Sequence, residues 1–273
     1  MSALIEMLAY PFMQRALIVG MLVSLSAALL GVILVLKRYS LIGHGLGEVG
    51  FASLSLASAL GLPQMAVSVP MVGFGAVFIM WLSRKKKIGG DAAIGVISTA
   101  SLSFGVIVTS VTKGFNIDVS NYMFGSILAL TESDLMLSAV LSVVVIVMFV
   151  LLFNRLFSVT YDEVNAQATG VNVDLYQLVI ALLTAVTVVL GMRMMGTMLI
   201  SSLIIFPAMA ARRLTRSFRG MVALSAVISV VCFLIGLALS FLWNLPTGAS
   251  VVACDIIALL LATGWRKIFN REE

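Results

Sequence analysis

Apolar residues gather into nine runs along the chain, at roughly 16–36, 40–61, 64–83, 92–112, 135–153, 175–192, 194–211, 221–243 and 245–265. Each approaches the about 20 residues a helix needs to cross a bilayer, and most are joined by gaps too short for any other structure. The pattern predicts an all-α, polytopic membrane protein with about eight to nine transmembrane helices in a single transmembrane domain over residues 1–273. The uncertain junction is Arg193, where the sixth and seventh runs meet with almost no loop. A broken or re-entrant element there would leave eight full spans.

Basic residues sort the gaps. Lys37 and Arg38 follow the first run, Arg84 to Lys87 the third, Arg155 the fifth, Arg212, Arg213, Arg216 and Arg219 the seventh, and Arg266, Lys267 and Arg271 the ninth. The alternate gaps are poor in Lys and Arg. Under the positive-inside rule this predicts an external N-terminus and a cytoplasmic C-terminus, in agreement with nine crossings. The N-terminal residues lack a basic stretch and carry Glu6, so no cleaved signal peptide is expected.

Composition removes the other classes. The chain of 273 residues is 61% hydrophobic and 11% charged, against about 45–50% and about 25% in soluble domains. The net charge of +5 comes from residues flanking the apolar runs, which argues for orientation signals and against nucleic acid. Cys232 and Cys254 lie inside apolar runs and form neither a disulfide framework nor a zinc-knuckle spacing. There is no phosphate-binding Gly-x-x-x-x-Gly-Lys-Ser/Thr loop, no Gly-x-Ser-x-Gly and no His-Glu-x-x-His. The chain is therefore expected not to be an enzyme, and any nucleotide-hydrolysing or ligand-capturing module is expected on another chain.

Two loops exceed what a crossing requires. Residues 113–134, with Asn121-Tyr122-Met123-Phe124-Gly125, read as a helix lying at the outer face. In residues 154–174, Asp162-Glu163 opens a short helical stretch and Gly170 closes it. Such a helix is one a cytoplasmic partner could grip; a plain connecting loop is the alternative.

Charged groups at membrane depth are costly and usually functional. His44, the only histidine, and Glu48 lie in the second run within Gly43-His44-Gly45-Leu46-Gly47-Glu48-Val49-Gly50. A spacing of four puts both on one helix face. Imidazole and carboxylate together suit a divalent ion such as zinc or manganese. The glycines permit close helix packing. Asp255 is the third such group, in the last run. The alternative is a structural His44–Glu48 ion pair and a wet Asp255 near the outer end of its helix.

Five stretches in order resemble the permease subunits of zinc, manganese and iron ABC importers, the ABC-3 metal permease family. They are Leu36-Lys37-Arg38-Tyr39-Ser40-Leu41-Ile42-Gly43; Asp91-Ala92-Ala93-Ile94-Gly95; Asn121-Tyr122-Met123-Phe124-Gly125-Ser126-Ile127-Leu128; Asp162-Glu163 with Ala166, Ala168 and Gly170; and Gly196-Thr197-Met198-Leu199-Ile200 running to Phe206-Pro207-Ala208 and Ala211-Arg212-Arg213. The resemblance implies a type II ABC importer permease-like fold in a prokaryotic inner or plasma membrane. It implies two permease copies, two cytoplasmic ATP-binding subunits, and an external or periplasmic metal-binding protein that delivers the ion. It further implies a transported Zn2+ or Mn2+, with iron as another possible cargo, and a coupling helix within about 158–174 carrying Asp162, Glu163, Ala166 and Gly170. One departure stands out. Where the family commonly has Asp, three residues, then His, this chain has His44-x-x-x-Glu48. The exchange leaves open a permease of the same architecture for a metal chelate or vitamin. A stand-alone secondary cation transporter working through His44, Glu48 and Asp255 is the other alternative.

Overall fold

The computed structural model describes residues 11–85, 89–112, 132–243 and 245–269. Among them are eleven helices and no strand. We number these α1 (Pro11–Leu36), α2 (Ile42–Ala59), α3 (Gln64–Lys85), α4 (Gly90–Val111), α5 (Glu132–Leu151), α6 (Phe153–Tyr161), α7 (Glu163–Ala168), α8 (Val173–Met195), α9 (Thr197–Leu214), α10 (Phe218–Trp243) and α11 (Thr247–Phe269). All nine apolar runs have become helices. The outer-face helix expected around Asn121 lies outside the described residues.

Seven of these helices are individually long and apolar enough to cross a membrane, and α5 with α6 makes an eighth if that pair, bent by 70°, is one span. The run that fails the test is α2. Its His44, Glu48 and small residues lower its apolar content, and it survives by burial rather than by facing lipid. Between α8 and α9 the chain is broken at Gly196, whose φ of 85° and ψ of 162° close one helix and open the next. An L side chain rarely adopts this backbone, so the junction the sequence left uncertain at Arg193 is a glycine break three residues on.

The core forms around α1, which packs against α5, α8, α9 and α10. Of its apolar window 78% is buried, against 17% for α4, which rests mainly on α2 and α3. Close approach replaces bulk at the centre: a Cβ on Gly31 would strike the backbone carbonyl of Ile204. Serines join helices through main-chain acceptors, as apolar surroundings require of a buried hydroxyl. Ser229 Oγ donates to the Ser24 carbonyl at 3.0 Å and Ser225 Oγ to that of Ala28 at 3.3 Å.

The five basic gaps converge on one end of the bundle. Lys37 Nζ lies 2.5 Å from Glu163 Oε1, joining the first gap to the fifth. Tyr39 Oη donates to Ser83 Oγ at 3.1 Å beside the third. Arg38, Arg212, Arg213 and Arg266, from the first, seventh and ninth gaps, line one cavity. The alternation of basic and non-basic gaps is thus also a division between the two ends of the molecule.

Candidate functional site

The helix α2 owes its packing to its small residues. Gly43 faces Ser201 and Ile204 of α9, Gly47 faces Thr197, Gly45 faces Ile94 of α4, and Val49 fills the space over Gly75 of α3. Ser53 Oγ closes the far end by donating to the Gly50 carbonyl at 2.6 Å, with Ser68 Oγ of α3 at 2.8 Å. Three sides of α2 are thereby covered. With a helical turn of about 100° per residue, His44 and Glu48 project from the remaining side, between the faces taken by α9 and α4.

His44 Nε2 and Glu48 Oε1 are 4.0 Å apart, and the two side chains are 58% and 15% exposed. That separation is too long for a hydrogen bond, so the pair is not a tightly made structural contact. Donors that share an ion tetrahedrally at about 2.0–2.2 Å from each lie somewhat closer together than 4.0 Å. The arrangement places two possible ligands on one side of α2, the imidazole exposed and the carboxylate largely covered.

Asp255 does not join them. It is 1% exposed on α11 and takes a 2.9 Å hydrogen bond on Oδ2 from Ser202 Oγ of α9. Its Oδ1 has no hydrogen-bond partner. The wet position at a helix end that the sequence also allowed is excluded. Ser201 meets α2 while its neighbour Ser202 meets α11, so α9 stands between the pair and the aspartate. Among the described residues no three of His, Cys, Asp and Glu are placed to hold one metal ion.

The second element is α7. Asp162 is its N-cap, accepting from the Asn165 amide at 3.0 Å. Gly170, at φ 81°, ends it with hydrogen bonds from the amide of Gly170 to Gln167 and from that of Val171 to Ala166. This is the pairing of a glycine-terminated helix. Ala166 is buried, and Val159, Ala166, Val171 and Val173 form a small core of their own. Glu163 binds inward, to Lys37 and to Gln177 Nε2 at 2.7 Å. The four residues singled out from the sequence therefore build and anchor the helix. Beside the exposed Asn165, Gln167 and Ala168, the large apolar side chains turned outward are Val164 of α7, 80% exposed, and Tyr161 at the end of α6, 78% exposed, which sequence reasoning missed. A six-residue helix is too short for any periodicity to mark which of its side chains face outward.

A bundle of apolar spans that packs a polar, glycine-rich helix by close approach and carries a short capped helix at its basic end has the architecture of a membrane transport subunit. Residues 9–265 match the model of the ABC 3 transport family, and the chain belongs to that family. It is 29% identical to the high-affinity zinc uptake system membrane protein ZnuB of Haemophilus influenzae over 257 residues, covering 94% of this chain and 97% of that one. It is 27% identical to the manganese transport system membrane protein MntC of Listeria monocytogenes, covering 94% and 91%. In structure it resembles PsaBC from Streptococcus pneumoniae in complex with Fab, with a TM-score of 0.84, 26% identity and coverage of 96% of this chain and 94% of that one. A fold-level likeness extends to an inward-facing putative metal-chelate type ABC transporter, with a TM-score of 0.73 at 13% identity and coverage of 93% and 86%.

Proposed function

We propose that this chain is the membrane permease of an ATP-driven importer for a divalent metal ion, zinc or manganese. The observation that carries the reading is the His44–Glu48 pair on one side of α2, at 4.0 Å, with the imidazole 58% exposed. A neutral imidazole and a carboxylate are a usable ligand pair for either ion, and an incomplete shell suits cargo that must be released. The named zinc and manganese relatives support the cargo class.

The remaining parts follow from that reading. A second copy faces the open side of α2, so that two such pairs flank a common path, as closed two-fold oligomers commonly arrange. The basic end faces the cytoplasm and carries α7 to the ATP-binding subunits, with Tyr161 and Val164 as its contacts. An external metal-binding protein loads the opposite end. Asp255 acts as a support, holding α9 against α11 through Ser202, rather than as a ligand.

Uptake of radiolabelled zinc and manganese in cells whose only importer permease is this chain tests the proposal. His44→Ala and Glu48→Gln are each expected to abolish most uptake while the protein still reaches the membrane. Normal uptake in His44→Ala at limiting metal rejects the site, and uptake of a metal chelate but not the free ion rejects the cargo.

A further inference from the structure

At the basic end, two adjoining cavities of about 560 and 190 Å³ share Arg212, Arg213 and Arg266. The larger adds Arg38 from the α1–α2 turn and sits over Val35 and Met209; the smaller adds Arg216 and Trp265. Orientation in a membrane needs basic residues only in the right loops. It does not need them drawn together from three separate gaps into one concavity. Asp91 is the one acid among the residues lining the two cavities. Among the described residues Arg38, Arg212, Arg213 and Arg266 have neither an ion pair nor a side-chain hydrogen bond. Four guanidinium groups facing a single carboxylate leave an excess of positive charge in the concavity, which suits an anion.

Arg38 shows what the backbone concedes to this cluster. It is the one non-glycine residue with positive φ, 62°, among the described residues. Its neighbours make the bonds of a glycine-type helix stop, with the Tyr39 amide donating to the Leu34 carbonyl at 2.8 Å. Glycine is the favoured residue there, and a guanidinium is present instead.

We infer that this arginine cluster binds the phosphate of an anionic phospholipid headgroup. Guanidinium groups match phosphate oxygens in pairs, and basic pockets at the ends of membrane helices take such headgroups. The apolar floor at Val35 and Met209 favours a lipid over a free phosphate, as does Trp265, a residue type that settles at the membrane–water border. The inference is independent of the metal reading.

The test uses the full chain, purified in detergent and titrated with phosphatidylglycerol, phosphatidylcholine or inorganic phosphate while thermal unfolding and native mass are followed. Phosphatidylglycerol is expected to raise Tm and remain bound in the mass spectrum, and phosphatidylcholine to do neither. The variant Arg212→Gln/Arg213→Gln/Arg266→Gln is expected to weaken binding at least tenfold, and Arg155→Gln to leave it unchanged. Arg38→Gly separates binding from folding, since it fits the backbone and removes one guanidinium: lipid-free Tm is expected to hold or rise while lipid affinity falls. Equal phosphatidylglycerol binding by wild type and the arginine variants overturns the site. A Tm shift by inorganic phosphate equal to that by the lipid overturns the lipid assignment.

Discussion

Lys37 Nζ lies 2.5 Å from Glu163 Oε1, with the lysine side chain 6% exposed and the glutamate 44% exposed. The contact fastens α7 to the end of α1, the most buried of the seven spans. Breaking a buried pair from one side costs about 3–5 kcal/mol; with the glutamate half in solvent, about 1–2 kcal/mol is the expected effect after screening. Glu163→Gln should lower thermal stability by that amount, and Lys37→Met/Glu163→Gln should recover part of it by removing the stranded ammonium. A double-mutant cycle on unfolding in detergent measures the coupling, and additive single effects would show the two groups to be independent.

The two halves of α7 separate construction from contact. A Cβ on Gly170 would meet nothing within 4 Å, yet φ is 81°, so Gly170→Val acts through backbone strain alone, about 1–2 kcal/mol. Transport is expected to fall with some loss of stability. Val164→Asp changes a side chain that is 80% exposed and should leave unfolding within about 0.5 kcal/mol of wild type while uptake and ATPase stimulation fall. Unchanged stimulation in Val164→Asp would reduce α7 to a connection.

Much of this was legible in the chain because the bilayer imposes a single length scale. The nine runs and the alternation of Lys37, Arg155, Arg212 and Arg266 needed only hydropathy and charge to be read, and the capping of α7 by Asp162 and Gly170 needed only local chemistry. Lateral arrangement was not legible. His44 and Glu48 share a face by helical spacing, but that this face stays uncovered depends on Gly43 and Gly47 seating α9 and Gly45 seating α4. Nothing local to Asp255 shows that Ser202, 53 residues earlier, will turn it away from them. Nothing local to Glu163 shows that it will bind Lys37, 126 residues away.

Asp255 supplies a control for the pair. Asparagine retains an oxygen for the Ser202 hydroxyl, whose bond to Asp255 Oδ2 is 2.9 Å long. Asp255→Asn is therefore expected to fold and to keep more uptake than His44→Ala. Ser202→Ala removes the hydroxyl donor from the buried carboxyl and should lower stability by about 1–3 kcal/mol. If Asp255→Asn abolishes metal uptake as completely as Glu48→Gln, with Tm unchanged, Asp255 is a member of the path and its role as a support is wrong.

The order of the two ligands along α2 gives the sharpest test of the metal reading. His44 and Glu48 are four residues apart and both side chains leave the same side of the helix. Exchanging them, as His44→Asp/Glu48→His, restores the order that the resembling family commonly shows and preserves one imidazole and one carboxylate. If the path requires that pair of donors and not their order, the double variant should retain a substantial share of uptake, while His44→Asp alone and Glu48→His alone lose most of it. The relative uptake of zinc and manganese is expected to shift, because the imidazole moves by four residues, about 6 Å along the helix, relative to the Ser201 and Thr197 side of α9. Competition uptake with both ions present measures the shift. A double variant as inactive as either single one, with normal folding, would mean that the position of each donor matters as much as its chemistry.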